Sequence, residues 1–316
     1  MNPKLLQSGP PGQVPLVLIH DGGGTCVQYC RLPRLGRPVW AIQHPRRAAK
    51  ESWKGGIPEM ARVYLELVRT VIPKGPLLLG GWSFGGVVAI EMALQLAAQQ
   101  QSNLTVLGCV LIDSVFPNRD PGSDKSIWQN PPLCPAGAPL HVKREIRLCM
   151  AMSVALLDRW STPQRNGTIQ NQHYSNLRSS TPPGQTTIDT LKHDTLGIPT
   201  PPGTPELVAA SLHGQLHHRS KLPAPPMTIL LRARDPVPVP PEHEREEDDN
   251  TVSRVDMHRN KLLLGWESYP QEFIQAVMHV SGHHFSMFDP ENIQSLGEHL
   301  DQACRMLDQG GLWLQP

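Results

Sequence analysis

The chain has 316 residues, with 29 Lys plus Arg against 28 Asp plus Glu and 39% hydrophobic residues. Its length is about twice the ~150 residues used as a prior for one domain, but α/β folds often spend that length on one core with an insertion. The apolar content excludes a disordered chain, and a formal net charge of +1 excludes a global field that would draw the protein to nucleic acid or an anionic membrane.

The uninterrupted apolar runs are far shorter than the ~18 residues needed to cross a bilayer, so no membrane partner is expected. Six cysteines (26, 30, 109, 134, 149 and 304) form no CxxC pair and no zinc-ligand spacing. No apolar signal segment precedes them, which predicts reduced thiols in a cytoplasmic compartment. Proline is the compositional outlier, at 33 residues. None falls between Leu77 and Phe116, whereas 16 fall from Pro117 to Pro226. This distribution predicts an N-terminal arm or linker over 1–15, a regular core over 16–118 and 223–316, and a Pro-rich helical lid inserted at 119–222.

In chain order, short apolar runs alternate with helical spacing, the pattern of βαβ units and a mostly parallel sheet flanked by helices. Strands are predicted at Leu16–His20, Val39–Gln43, Leu77–Trp82, Val106–Asp113, Thr228–Arg232 and Ile274–Val280. Several are continuously apolar, as strands covered on both faces should be. Core helices are predicted at Glu59–Val71, Phe84–Gln100 and Glu291–Leu307, with Pro58 and Pro290 near two of their starts. Amphipathic spacing predicts two lid helices, Lys143–Trp160 and Glu206–Lys221.

The strand ending at Trp82 runs through Gly81-Trp82-Ser83-Phe84-Gly85 straight into a helix. This is G-x-S-x-G in the strand–turn–helix setting of an α/β-hydrolase nucleophile, where a sharp turn exposes the serine Oγ and glycines let the turn pack. The Phe84 N–H, at a helix N-terminus, is placed to meet a developing oxyanion. Upstream, Leu16-Val-Leu-Ile-His20-Asp21-Gly22-Gly23-Gly24 is a strand running into glycines; in this fold such a loop supplies the second oxyanion donor, Gly22 or Gly23. His20 and Asp21 read as residues that hold the turn. Neither G-x-G-x-x-G nor G-x-x-x-x-G-K-[ST] occurs, which disfavours nucleotide binding.

A serine nucleophile needs an imidazole base, and the base needs a carboxylate to set its tautomer and stabilise its charge. The chain order expected is Ser, acid, His. Of 14 histidines, only His283 and His284 lie just beyond the last strand. Two aspartates end strands suitably: Asp113 after the strand following the nucleophile helix, and Asp235 one strand later. The later position is the usual one in this broad fold, which favours Asp235.

The stretches LVLIHDGGGTCVQYCRLPRLGRPVWAIQHP, GGIPEMARVYLELV, GPLLLGGWSFGGVVAIEMA, VLGCVLIDSVFP and GHHFSMF resemble the thioesterase domains that release products from polyketide synthases and nonribosomal peptide synthetases, especially fungal ones. The resemblance covers most of the chain outside the insert and residues 236–262. It implies that the acid is Asp113, in the LIDS motif, that the imidazole is His284, and that the loop donor is Gly22. It further implies a substrate acyl or peptidyl chain held as a thioester on the phosphopantetheine of a carrier protein. That chain would transfer to Ser83 and be released by hydrolysis or cyclisation, with no metal or organic cofactor required. The same three residues would serve a hydrolase of free esters or acyl-coenzyme A, and a non-catalytic binding module is the reading from another class.

Trp82 and, in the insert, Trp128, Met150, Met152 and Trp160 are candidates to line an apolar acyl channel, although insert residues at helical spacing more often form lid core. Residues 31–54 carry seven basic side chains (Arg31, Arg34, Arg37, Arg46, Arg47, Lys50 and Lys54) against Glu51. They form either a docking face for an acidic carrier protein or an ordinary solvated surface. His213 and His217 are four apart but have no third ligand nearby and read as a solvated helix face.

Overall fold

The computed structural model describes residues 2–46, 53–99, 101–118, 126–128, 133–135, 137–161, 188–189, 224–238 and 251–310. The predicted helix Glu206–Lys221, with His213 and His217, and the acidic run at 242–249 lie outside the described residues. So do Arg47 and Lys50.

Ten strands are described: β1 (Lys4–Gln7), β2 (Leu16–Ile19), β3 (Val39–Ile42), β4 (Gly75–Trp82), β5 (Leu104–Ile112), β6 (Ser126–Trp128), β7 (Ile188–Asp189), β8 (Thr228–Ala233), β9 (Thr251–Ser253) and β10 (Ile274–Val280). Four α-helices accompany them: α1 (Gly56–Val71), α2 (Phe84–Ala98), α3 (Leu140–Arg159) and α4 (Ile293–Asp308). The main sheet has the order β1-β3-β2-β4-β5-β8-β10-β7. Its six central strands are parallel, and β1 and β7 close the edges in antiparallel sense.

Side-chain alternation explains why the central strands read as unbroken apolar runs. Val17, Ile19, Leu77, Leu79, Cys109 and Leu111 face a core shared with α1 and α2. Leu16, Leu18, Leu78, Val110 and Ile112 face a second core capped by α4. Both faces are dry, so neither tolerates polar alternation. On α1 the buried residues Ile57, Met60, Ala61, Tyr64, Leu65 and Val68 make one stripe. Its start is closed by Glu59, whose carboxylate accepts the Gly55 N–H at 2.8 Å. Helix α2 lies between sheet and α1 and is apolar nearly all round, with Gly86, Val88, Ile90 and Leu96 all buried.

Two predicted features differ. Residues 4–7 are a strand of the sheet rather than a free arm: Lys4 and Leu5 pair with Ala41 and Trp40. The Gln7 amide bonds the Leu32 and Pro33 carbonyls and the Leu35 N–H. A four-residue edge strand with Leu5 45% exposed carries no periodicity to read. The insert is likewise not purely helical, since it supplies β7 to the sheet edge and β6, which pairs with β9 in a separate two-stranded sheet.

Arg37, grouped by sequence with a basic surface, is buried, its side chain 3% exposed, and its guanidinium forks onto both carboxylate oxygens of Asp308 at 3.1 and 2.8 Å. Arg31 pairs with Asp289, and Arg46 pairs with Glu59 while lying over the Trp53 ring at 4.0 Å. Three of the seven basic side chains are therefore paired with carboxylates. Replacing Arg37 by Met leaves the Asp308 carboxylate without its partner at the end of α4 and is expected to cost about 2–3 kcal/mol, read as a lowered urea midpoint.

Candidate active site

Strand β4 hands over to α2 at Ser83, whose backbone sits at φ 58° and ψ −121°. A non-glycine residue there is strained by about 1–3 kcal/mol, and the surroundings hold it in place. Its N–H donates to the Ile112 carbonyl at 3.0 Å, and its carbonyl accepts the Gly86 N–H at 3.2 Å. The preceding Trp82 N–H donates to the Tyr29 hydroxyl at 2.8 Å, and that hydroxyl donates to the Ile19 carbonyl at 2.7 Å, clasping the ends of β2 and β4 together. The two motif glycines are required by contact. A Cβ on Gly81 would lie 2.3 Å from the Gly85 carbonyl carbon, and one on Gly85 would lie 2.4 Å from the Ile19 carbonyl oxygen.

Asp113 follows β5 with a left-handed backbone, φ 43°, a conformation that aspartate tolerates better than most residues. Its side chain is fully buried and every contact is charge-assisted or from a backbone donor. Oδ2 receives His284 Nδ1 at 2.8 Å and Arg259 Nη2 at 2.7 Å. Oδ1 receives Arg259 Nη1 and the Ala233 N–H, both at 2.8 Å. Burial works to raise the carboxyl pKa, but the Arg259 guanidinium and the His284 contact override it and hold the carboxyl far below the usual carboxylate range.

His284 is 1% exposed at its side chain. Its ring is held between Trp82, centroids 5.1 Å apart, and Phe285, at 4.9 Å. The loop that carries it is tied internally: Ser286 Oγ accepts the His283 N–H, and Asn292 donates to the Ser286 carbonyl. His283 does not contact Asp113; its Nδ1 accepts the Phe285 N–H at 3.2 Å, and burial lowers its pKa. Asp235 is exposed, and its N–H donates to the Gly282 carbonyl. Of the two aspartates, the one joined to an imidazole is Asp113.

Ser83, Phe84, Gly22 and His284 line one cavity of about 620 Å³ including its mouth. Gly22 faces it beneath α3: its carbonyl accepts Ser153 Oγ at 2.9 Å, and a Cβ there would meet Met150 Sδ at 2.8 Å. Gly23 is turned toward Ile146 and the Asp21 carboxylate. The rest of the wall is mostly apolar, with Val87, Val154, Leu157 and Met257, and carries Arg254, which is ion-paired to Asp158 of α3.

Of the candidate lining residues, Met150 lines the cavity, Trp82, Met152 and Trp160 do not, and the Trp128 side chain lies outside what the structure describes. Trp82 packs beneath His284 in the α4-side core. Met152 is half-buried against the other core. Trp160 is buried against Phe116 and Trp266 and donates its indole N–H to Glu91 at 3.2 Å, anchoring the end of the lid helix. Helical spacing alone does not distinguish the face of α3 over the cavity from the face over the core. His20 bonds the Asp21 carbonyl and the Tyr64 hydroxyl, and Asp21 accepts the Thr25 N–H, so both organise the loop.

Sequence reasoning missed Arg259, Arg254, Asp256 and Ser153. The first three fall in a stretch with no motif and no periodicity, and only the i,i+3 spacing of Asp256 and Arg259, which pair at 2.8 Å, hints at a contact. Since the folded Asp113 carboxyl titrates below its unfolded value of about 3.9, its ionic contacts contribute fully above about pH 4. Their contribution is lost as pH falls through the acid range beneath it, by about 1.4 kcal/mol per unit. The stability gap between wild type and Asp113→Asn, measured by urea denaturation, is therefore expected to shrink by about 1 kcal/mol from pH 7 to pH 3.

Comparison with known proteins places this geometry. Residues 14–132 match the family described as "Thioesterase domain". Thioesterase frbE of Dothideomycetidae sp. (strain 11243) is 33% identical over 320 residues, covering 98% of this chain and 97% of that protein. Among solved structures, the fold is shared with the NocB thioesterase domain in covalent complex with a fluorophosphonate nocardicin G analog (TM-score 0.54, 19% identity, 92% and 94% of the two chains). It is also shared with part of holo-AB3403, a four-domain nonribosomal peptide synthetase (TM-score 0.52, 19% identity, 94% of this chain and 20% of that one). An α/β-hydrolase sheet, a serine at a strained strand–helix turn and a relative aligned end to end lead to one conclusion: the chain belongs to the thioesterase family.

Proposed function

We propose that the protein is a serine thioesterase that takes an acyl or peptidyl chain from the phosphopantetheine thioester of a carrier protein and releases it through an acyl-Ser83 ester. The observation that carries this reading is the joining of the Asp113 carboxylate to His284 Nδ1 at 2.8 Å on the wall of the cavity that Ser83 also lines. Oriented in this way, His284 Nε2 takes the Ser83 proton as Oγ attacks the thioester carbonyl. The Phe84 and Gly22 N–H groups receive the oxyanion, each donor of this type being worth roughly 3–4 kcal/mol. The C–S bond breaks, the thiolate takes the proton back from His284, and the acyl group remains on Oγ. Water, or a nucleophile within the acyl chain, then gives its proton to His284 as it attacks the ester carbonyl; the acyl–Oγ bond breaks, Ser83 Oγ takes that proton from His284, and an acid or a ring is released.

The apolar wall suits a hydrocarbon-rich acyl chain, and the fold shared with part of a nonribosomal peptide synthetase fits a carrier-bound donor. No step requires a metal or organic cofactor. Among the described residues, no helix is long and apolar enough to cross a membrane.

Intact-mass measurement after incubation with a thioester mimic tests the intermediate. Wild type is expected to gain the acyl mass and Ser83→Ala to gain none, with turnover lower by about 10⁴-fold or more. Equal turnover by both would remove Ser83 from the mechanism. Asp113→Asn is expected to lower turnover by roughly 10³–10⁴-fold, while Asp235→Asn stays near wild type; the reverse order would reassign the acid. Comparing one acyl group on a carrier protein and on coenzyme A tests the partner, and equal rates would assign a carrier-independent hydrolase.

A further inference from the structure

We propose that Arg259 is a positioning residue of this reaction centre: its guanidinium forks onto both oxygens of Asp113, fixes the plane in which Oδ2 meets His284, and shares the charge that Oδ2 would otherwise direct at the imidazole. The proposal rests on the serine-ester reading above. Arg259 is not among the residues lining the cavity, so its effect must pass through Asp113. Its own geometry is over-determined. Nη1 and Nη2 hold Asp113 at 2.8 and 2.7 Å, and Nε holds Asp256 Oδ1 at 2.8 Å. The Ala233 carbonyl accepts from Nη1 at 3.1 Å, while Asp256 Oδ2 is fixed by the Val237 N–H at 2.6 Å.

A planar fork gripping both carboxylate oxygens allows one rotamer of Asp113, which a single-point cation would not enforce. Arg259 also sets a buried cation beside an aspartate–imidazole pair that must itself become net neutral when the imidazole takes a proton. Asp113 Oδ2 divides its charge between two donors, His284 Nδ1 and Arg259 Nη2. The Arg259 charge, bonded to the carboxylate that faces His284, therefore opposes the build-up of positive charge on the imidazole as the proton moves. Among the described residues, the other charged or titratable groups around the pair include His283 on the same loop, Arg254, which lines the cavity with His284 and is paired with Asp158 of α3, and Asp256 behind Arg259. Asp235 and Asp289 reach His283 through their fields. A thioester tolerates a weaker proton carrier well, because its thiolate leaves with less help from an acid than an alkoxide or amine needs.

The test is the pH dependence of the rate constant for Ser83 labelling by a fluorophosphonate, normalised to the final labelled fraction, in wild type, Arg259→Gln and Arg259→Lys. Removing the cation is expected to move the midpoint of the rising limb upward by about one pH unit, making Arg259→Gln roughly tenfold slower than wild type on the acid side from this shift alone. Lysine keeps the charge without the fork, so its midpoint is expected near wild type while its plateau rate falls severalfold. A residue that only stabilises the fold would lower the labelled fraction and leave both rate constant and midpoint unchanged, and that result overturns the proposal. Should Arg259→Gln fail to fold, the Arg259→Lys rate constant decides alone, a wild-type value overturning it. Wild type that is not labelled at Ser83 overturns the serine-ester reading together with this one, whereas normal labelling with unshifted variants overturns only the role of Arg259.

Discussion

The structure depends on a turn with no spare volume. Between β4 and α2 the backbone passes so close to the loop after β2 that a single methyl on Gly85 would overlap the Ile19 and His20 carbonyl oxygens. That approach brings the first turn of α2 beside Gly22, so the helix N-terminus and the glycine loop face a common space. The same compression forces Ser83 into its unfavourable backbone conformation, with the strain offset by the Tyr29 clasp and by the bond to Ile112 across the sheet. The pocket, the Ser83 turn and the Phe84 and Gly22 backbone beside it thus arise from one packing constraint.

How much of this was legible in the sequence follows from how each part is stabilised. The six parallel strands and three core helices were readable because both sheet faces are dry, so hydrophobic periodicity reports position directly. Ser83 was readable because the glycines flanking it are demanded by contact and no other residue fits. Strand β1, β6, β7 and β9 were not, since each is two to four residues long and is held by pairing with a remote segment. Arg259 and Arg254 belong to a connecting segment whose pairs with Asp113 and Asp158 each span more than 90 residues of chain, and no local pattern encodes those.

The choice between Asp113 and Asp235 shows the limit of positional reasoning. Both aspartates end neighbouring strands, and β5 and β8 are paired in register up to Ile112 and Leu231, so distance along the sheet hardly separates them. Environment separates them. Asp113 turns inward at a left-handed residue and meets four donors, whereas Asp235 turns outward after its strand ends. General expectation for the fold pointed to the later strand and the family resemblance to the earlier one, and it is the aspartate of the earlier strand that is bonded to His284.

Helix α3 roofs the cavity and is fastened along its length. Ile146 packs on Gly23, Ser153 is bonded to the Gly22 carbonyl, Asp158 is paired with Arg254, and Trp160 is sunk among Phe116 and Trp266. A roof riveted at successive turns is a gauge more than a flap: to swing away it would have to break several buried contacts at once. The bore beneath it is consequently calibrated by the bulk of Met150, Val154 and Leu157, where one methylene more or less is worth about 1–3 kcal/mol in discriminating what fits.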